Sequence, residues 1–132
     1  MKSPALIGRL LREERGATMI EFAFAFPVLI VLIYAIAQLG MVYRAMSGIQ
    51  HSLGEGARMA TLFPRPTTAL IRGRMQDRVY GIGPGTFAIP TPTEVNDTIL
   101  LKVTYTQPTS LLLFPGPTVT VQRTKLVYTD SN

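Results

Sequence analysis

Arg15-Gly16-Ala17-Thr18-Met19-Ile20-Glu21-Phe22 opens a stretch that runs on to Tyr43 without another charged residue. Counted as helix from Phe22 to Tyr43 at about 1.5 Å per residue, the apolar part spans roughly 33 Å, close to the hydrocarbon thickness of a bilayer. That length predicts one membrane-spanning helix with a single acid, Glu21, at its mouth. A carboxylate deep in lipid costs about 2.5–3.5 kcal/mol on insertion scales, so an ionisable residue there marks a functional position. The plain alternative is a glutamate at headgroup level that happens to begin the span.

Upstream of the run lie Lys2, Arg9, Arg12 and Arg15, against Arg44 and Arg58 soon after it. By the positive-inside tendency the N-terminus is cytoplasmic and the C-terminal part extracytoplasmic. A cleaved secretory signal competes, because Ala35-Ile36-Ala37 makes a small-x-small site before Gln38. Against it, the apolar stretch exceeds a usual signal core, and helical periodicity continues through the supposed cut.

Gly16, four intervening residues and Glu21-Phe22 form Gly-x-x-x-x-Glu-Phe between a basic leader and a spanning run. This resembles the cleavage region of type IV pilin-like precursors, in which a membrane-embedded aspartyl prepilin peptidase cuts after the glycine. The larger pattern joins Arg15 through Ala23, Pro27, Gly40 with Tyr43 nearby, and Gly54-Glu55-Gly56-Ala57-Arg58. It resembles the TadE-like family, the minor pilins (pseudopilins) of the tight-adherence, Flp-type pilus machinery. Leu53-Gly54 departs from the family's usual Ala-Arg before Glu-Gly-Ala-Arg.

The resemblance implies processing between Gly16 and Ala17, with Glu21 and Phe22 read by the peptidase and during assembly. It also implies helix packing at Pro27, Gly40, Gly54, Gly56 and Ala57. Implied partners are the prepilin peptidase, other minor pilins, inner-membrane pilus assembly proteins and the membrane itself. The implied location is a bacterial inner membrane or the pilus, and the implied role is pilus assembly and surface adhesion.

Beyond the span, Leu39, Val42, Met46, Ile49, Leu53, Gly56 and Ala60 recur at steps of three and four, the seam of a packed helix. Gly48, Gly54 and Gly56 each cost about 1 kcal/mol in a helix relative to alanine. Gly54, Gly56, Ala57 and Ala60 would offer a bare surface for close approach, unless Gly54 simply ends the helix. Pro64 and Pro66 stop it in any case. Within the span, Pro27 leaves the Ala23 carbonyl short of a donor, so a kink or local unwinding is expected. Gln38 is the other polar group at depth, suited to a bond across a helix pair or to the headgroup level.

After the prolines, Thr67 or Thr68 caps a short helix through about Tyr80 with Leu70, Ile71, Met75 and Val79 on one face. Arg72, Arg74 and Arg78 read as a solvated surface. Gly81-Ile82-Gly83-Pro84-Gly85 ends that helix, and strands follow at Thr86–Ile89, Thr98–Gln107 and Thr118–Tyr128. Val119 and Val121 differ in parity from Leu126 and Tyr128, which suggests a bulge near Arg123–Lys125. The loop Pro108–Pro117 carries the apolar run Leu111-Leu112-Leu113-Phe114, suited to folding back on the core or to meeting a partner.

The fold class is therefore α+β. A long N-terminal transmembrane helix extends into a small extracytoplasmic domain with a short helix and a C-terminal antiparallel sheet. Three regions follow: a basic leader (1–16), a TadE-like segment with the span at about 22–43 (17–63), and the outer domain (64–132). The outer part is small for a lone core, and with no cysteine it cannot be stapled by a disulfide. A partner, or the protein's own long helix, should supply the missing burial.

The formal charge of +5 comes from scattered positives without a nucleic-acid signature, so no nucleic-acid binding is expected. No cysteine nucleophile, histidine-rich cluster or P-loop is present, and His51 reads as a surface partner of Glu55 one turn away. The chain is expected to be no enzyme and to need no cofactor or metal. Two functions stand: a processed minor pilin, or an unprocessed single-pass protein whose outer domain binds a partner.

Overall fold

From Ala17 to Leu39 the sequence contains no glycine, and Pro27 is its one proline, so helix propensity is opposed at a single position. The computed structural model describes residues 4–110, 112 and 114–129, with side chains from Gly16 onward among them. It forms α1 (Pro4–Ala60), α2 (Thr68–Arg78), β1 (Thr86–Ala88), β2 (Thr93–Val95), β3 (Thr98–Gln107) and β4 (Val119–Tyr128). The protein is α+β: a long apolar helix, a short second helix and a four-stranded antiparallel sheet. The chain parts into two units, the first ending at Ile36 and the second beginning at Ala37.

In the first unit, helical geometry runs through Pro27 unbroken, so the lost hydrogen bond causes no local unwinding. Phe22, Phe24, Val28, Leu32 and Ile33 are all exposed. A helix that is apolar all round and uncovered is one that lipid can solvate. The segment is long and apolar enough to cross a membrane.

The second unit is built on the C-terminal part of α1. Ala45, Ile49, Leu53 and Ala60 pack with Ile71 and Met75 of α2, with Ile89, with Ile99, Leu101, Val103 and Tyr105 of β3, and with Val127 of β4. The expected seam holds at Val42, Ile49, Leu53, Gly56 and Ala60. Leu39 departs from it and is exposed, because the buried face is turned toward Gln38, Ala45 and Ser52. Gly54 does not end the helix, which continues to Ala60. Thr67 caps α2, its hydroxyl accepting from the Leu70 N–H at 3.4 Å. That helix stops at Arg78, short of Tyr80, and Leu70 is exposed rather than on the buried face.

β3 is the central strand, its odd-numbered residues buried from Ile99 to Gln107. β1 and β2 pair with successive parts of one edge, and β4 pairs along the whole of the other. The β3–β4 register runs from Thr98↔Tyr128 to Gln107↔Val119 without a break, so the bulge expected near Arg123–Lys125 does not exist. The parity change has another cause: Leu126 and Tyr128 lie opposite Leu100 and Thr98 and are simply exposed. β2 was not expected from sequence. It is a short strand joined to β3 by a tight turn in which Asn96 takes a left-handed φ of 53°, a conformation asparagine tolerates.

Tyr105 is buried, and its hydroxyl donates to Gln107 Oε1 at 2.6 Å, while Gln107 Nε2 has no partner among the described residues. Burial pushes the Tyr105 phenol above its ordinary value of 10.0. The unfolded chain therefore loses this proton first as pH rises, so the neutral phenol's contribution is intact below pH 10.0 and is lost above it. Tyr105→Phe should cost about 1 kcal/mol at neutral pH by stranding the Gln107 amide, and should flatten the alkaline loss of stability. Denaturant unfolding in detergent on both sides of pH 10.0 checks this; an unchanged alkaline slope would refute it.

Candidate functional site

Gly16, Ala17, Glu21 and Phe22 all lie in α1 of the first unit and are exposed. Ala17 and Glu21 are one turn apart, which puts their Cβ atoms about 5–6 Å from each other on one face. Among the described residues Glu21 makes no salt bridge. Phe22 stacks on Phe26, the ring centroids 5.8 Å apart, one residue before Pro27. A Cβ added at Gly16 would meet nothing within 4 Å. The fold therefore does not require glycine at position 16, although a helix is weakened by it.

The same test separates the other small residues. Gly40 and Gly54 also face open space, and Pro27 is exposed, so none of the three is used by the chain's own packing. Gly56 is used: a Cβ there would lie 2.7 Å from Met75 Cγ and 3.2 Å from Leu101 Cδ1, where α1, α2 and β3 meet. Ala57 is half-buried against the same core. The tightest approach falls at Gly48, whose added Cβ would sit 1.8 Å from the Tyr80 carbonyl oxygen. The sequence marks Gly48 as a helix glycine suited to close approach, but nothing local reveals that the partner is the Tyr80 backbone.

Polar contacts in the second unit differ from expectation in three places. Gln38 is buried and pairs with the Ser110 backbone, donating from Nε2 to the carbonyl at 2.5 Å and accepting from the N–H at 3.1 Å. It is thus engaged by the β3–β4 loop. Glu55 pairs with Arg74 at 3.6 Å rather than with His51, which tilts against the Tyr80 ring at 5.9 Å. Arg72 is not purely solvated either, since its Nε donates to the Ile89 carbonyl at 2.8 Å. Ser52, buried and unremarked in the sequence, donates to the Met75 carbonyl at 2.8 Å and ties α1 to α2.

Among the described residues, one open groove lies beside Glu55, Arg58, Met59, Leu62 and Arg74, and another beside Gln50, Leu53, Arg123, Thr124 and Lys125. Among the described residues no three His, Asp or Glu side chains converge as metal ligands would.

No curated protein and no solved structure matches the chain. A family model does: that of the TadE-like proteins, over residues 16–58. The match opens at Gly16, takes in the whole apolar run, and ends two residues before the last residue of α1. The sheet and α2 lie outside it. Residues 16–58 of this protein are similar to the TadE-like proteins, and the similarity covers about a third of the chain.

Proposed function

We propose that the protein is a minor pilin of a tight-adherence pilus, cut after Gly16 by a prepilin peptidase and retained by its span for assembly with sister subunits. It acts by association, not catalysis, with its leader in the cytoplasm and its sheet domain outside the inner membrane, and it serves pilus assembly and adhesion. The observation that carries this reading is an exposed Gly16 with no role in the chain's own packing, one residue before an Ala17 that shares a helix face with Glu21.

The bond after Gly16 lies inside α1, so a peptidase must unwind a turn to reach it. Glycine eases that opening by about 1 kcal/mol relative to alanine, and adds no side chain to a narrow intramembrane cleft. Cleavage removes Lys2, Arg9, Arg12 and Arg15 together and leaves an ammonium at Ala17 facing Glu21.

Intact mass of the protein extracted from its native membrane tests this. The expected mass is that of a chain beginning at Ala17, and Gly16→Leu should leave the full-length precursor, a near-complete loss of processing. A native N-terminus at Met1 with the peptidase present would favour the unprocessed binding protein. One at Gln38 would favour a secretory signal.

A further inference from the structure

We infer that the β3–β4 loop is a second membrane contact, laying Leu112 and Phe114 into the bilayer interface beside the helix. This rests on reading Phe22–Tyr43 as the membrane span. The loop is fixed to α1 by the two bonds between Gln38 and the Ser110 backbone. It is also closed on itself. Ser110 bridges to Pro115, the Gly116 N–H donates to the Thr109 carbonyl at 2.9 Å, and the Thr109 hydroxyl donates to the Pro117 carbonyl at 2.6 Å.

Such a tied base sets the height of the tip. Gln38 precedes Arg44, the first charge after the apolar run, by about 9 Å along the helix. The base of the loop is therefore held before that charge along the helix, near Leu39 and Tyr43, which are 55% and 68% exposed. At this height Leu112 and Phe114 remain 53% and 69% exposed, and Leu112 holds a left-handed φ of 67°, unusual for a bulky side chain. No charged residue occurs between Lys102 and Arg123, so nothing in the loop opposes entry into lipid.

A second loop reaches nearly the same level. Gly83 adopts a φ of 112° and lies so close to Met41 that an added Cβ would be 2.9 Å from its sulfur. Its neighbour Ile82 is 53% exposed. Ile82, Leu112, Phe114, Leu39 and Tyr43 are thus exposed, uncharged and apolar on segments tied to residues 38–43 of α1, where the helix is itself apolar. An exposed patch of this kind needs an occupant, and its ties to Gln38 and Met41, within the last turns of the apolar run, make that occupant the bilayer.

The absence of cysteine makes the test direct. Single-cysteine variants Leu112→Cys, Phe114→Cys, Ile33→Cys and Thr124→Cys of the full chain are labelled with an environment-sensitive fluorophore. Each is reconstituted into phosphatidylcholine–phosphatidylglycerol vesicles carrying nitroxide lipids. Labels at 112 and 114 should be quenched several-fold more than the label at 124, most strongly by shallow nitroxides, while the label at 33 responds to deep ones. Quenching at 33 with 112 and 114 behaving like 124 overturns the loop contact and leaves the span intact. A blue-shifted but unquenched label at both loop positions would mean a protein neighbour covers them, and also overturns it. An unquenched label at 33 removes the span reading and the proposal with it.

Discussion

Gly48→Ala is expected to destabilise the sheet domain by about 3 kcal/mol or more, at the upper end of what overpacking costs. The new methyl would meet the Tyr80 carbonyl oxygen at 1.8 Å, its carbon at 2.8 Å and the Tyr80 nitrogen at 2.9 Å. These are backbone atoms, so no rotamer change relieves the clash. The segment between α2 and the glycine-rich turn must lift from α1. Alanine improves helix propensity by about 1 kcal/mol over glycine, which works in the opposite direction and is too small to win. Gly40→Ala and Gly54→Ala isolate that smaller term, because both positions face open space. They should raise stability by up to about 1 kcal/mol. Thermal unfolding in detergent separates the cases, and a Gly48→Ala protein melting at or above the wild type would refute the close crossing.

The second large effect is expected at Glu21. Once Ala17 is the N-terminus, its ammonium can be matched by Glu21 of the same chain, one turn away, or by Glu21 of a neighbour. Only the intersubunit pairing makes the glutamate an assembly signal, and that is the arrangement proposed here. Glu21→Gln keeps the shape and removes the charge. Removing one partner of a desolvated pair costs about 3–5 kcal/mol, so association with sister subunits should fall on the order of 100-fold or more. Cleavage after Gly16 should largely persist. Quantitative co-purification from membranes of cells expressing the sister subunits reads the effect. Recovery at the wild-type level would reject the intersubunit role and leave the pairing within one chain.

The parts of the fold set by local periodicity could be read directly. The long apolar helix is visible as an uncharged run, β3 as the alternation of Ile99, Leu101, Val103 and Tyr105, and α2 as Thr67 followed by Ile71 and Met75. What escaped depends on contacts between distant residues. β2 is three residues long after Pro90 and Pro92, too short to show a period. The absence of a bulge in β4 could not be inferred, because apolar residues on both faces of an edge strand imitate a register shift. Of the candidate positions, Gly56 and Ala57 lie in the chain's own core, whereas Gly16, Gly40 and Gly54 remain open. Sequence gives small residues equal weight, and only the neighbours tell one use from the other. Gln38 was visible as a polar residue at depth, but its partner stands at Ser110, beyond the reach of any local pattern.

Residues 37–60 of α1 form one wall of the sheet domain's core, and most of that wall lies within the TadE-like match. The matched segment and the unmatched sheet are for that reason not interchangeable modules. A different sheet grafted after Ala60 would have to supply its own counterparts to Met75 at Gly56, to the Tyr80 backbone at Gly48, and to Ser110 at Gln38. Substitution in the sheet domain is thus least constrained where the helix does not touch it: the far face of the sheet and the free edge of β4. Novelty can accumulate there while the inner face stays bound to a fixed template.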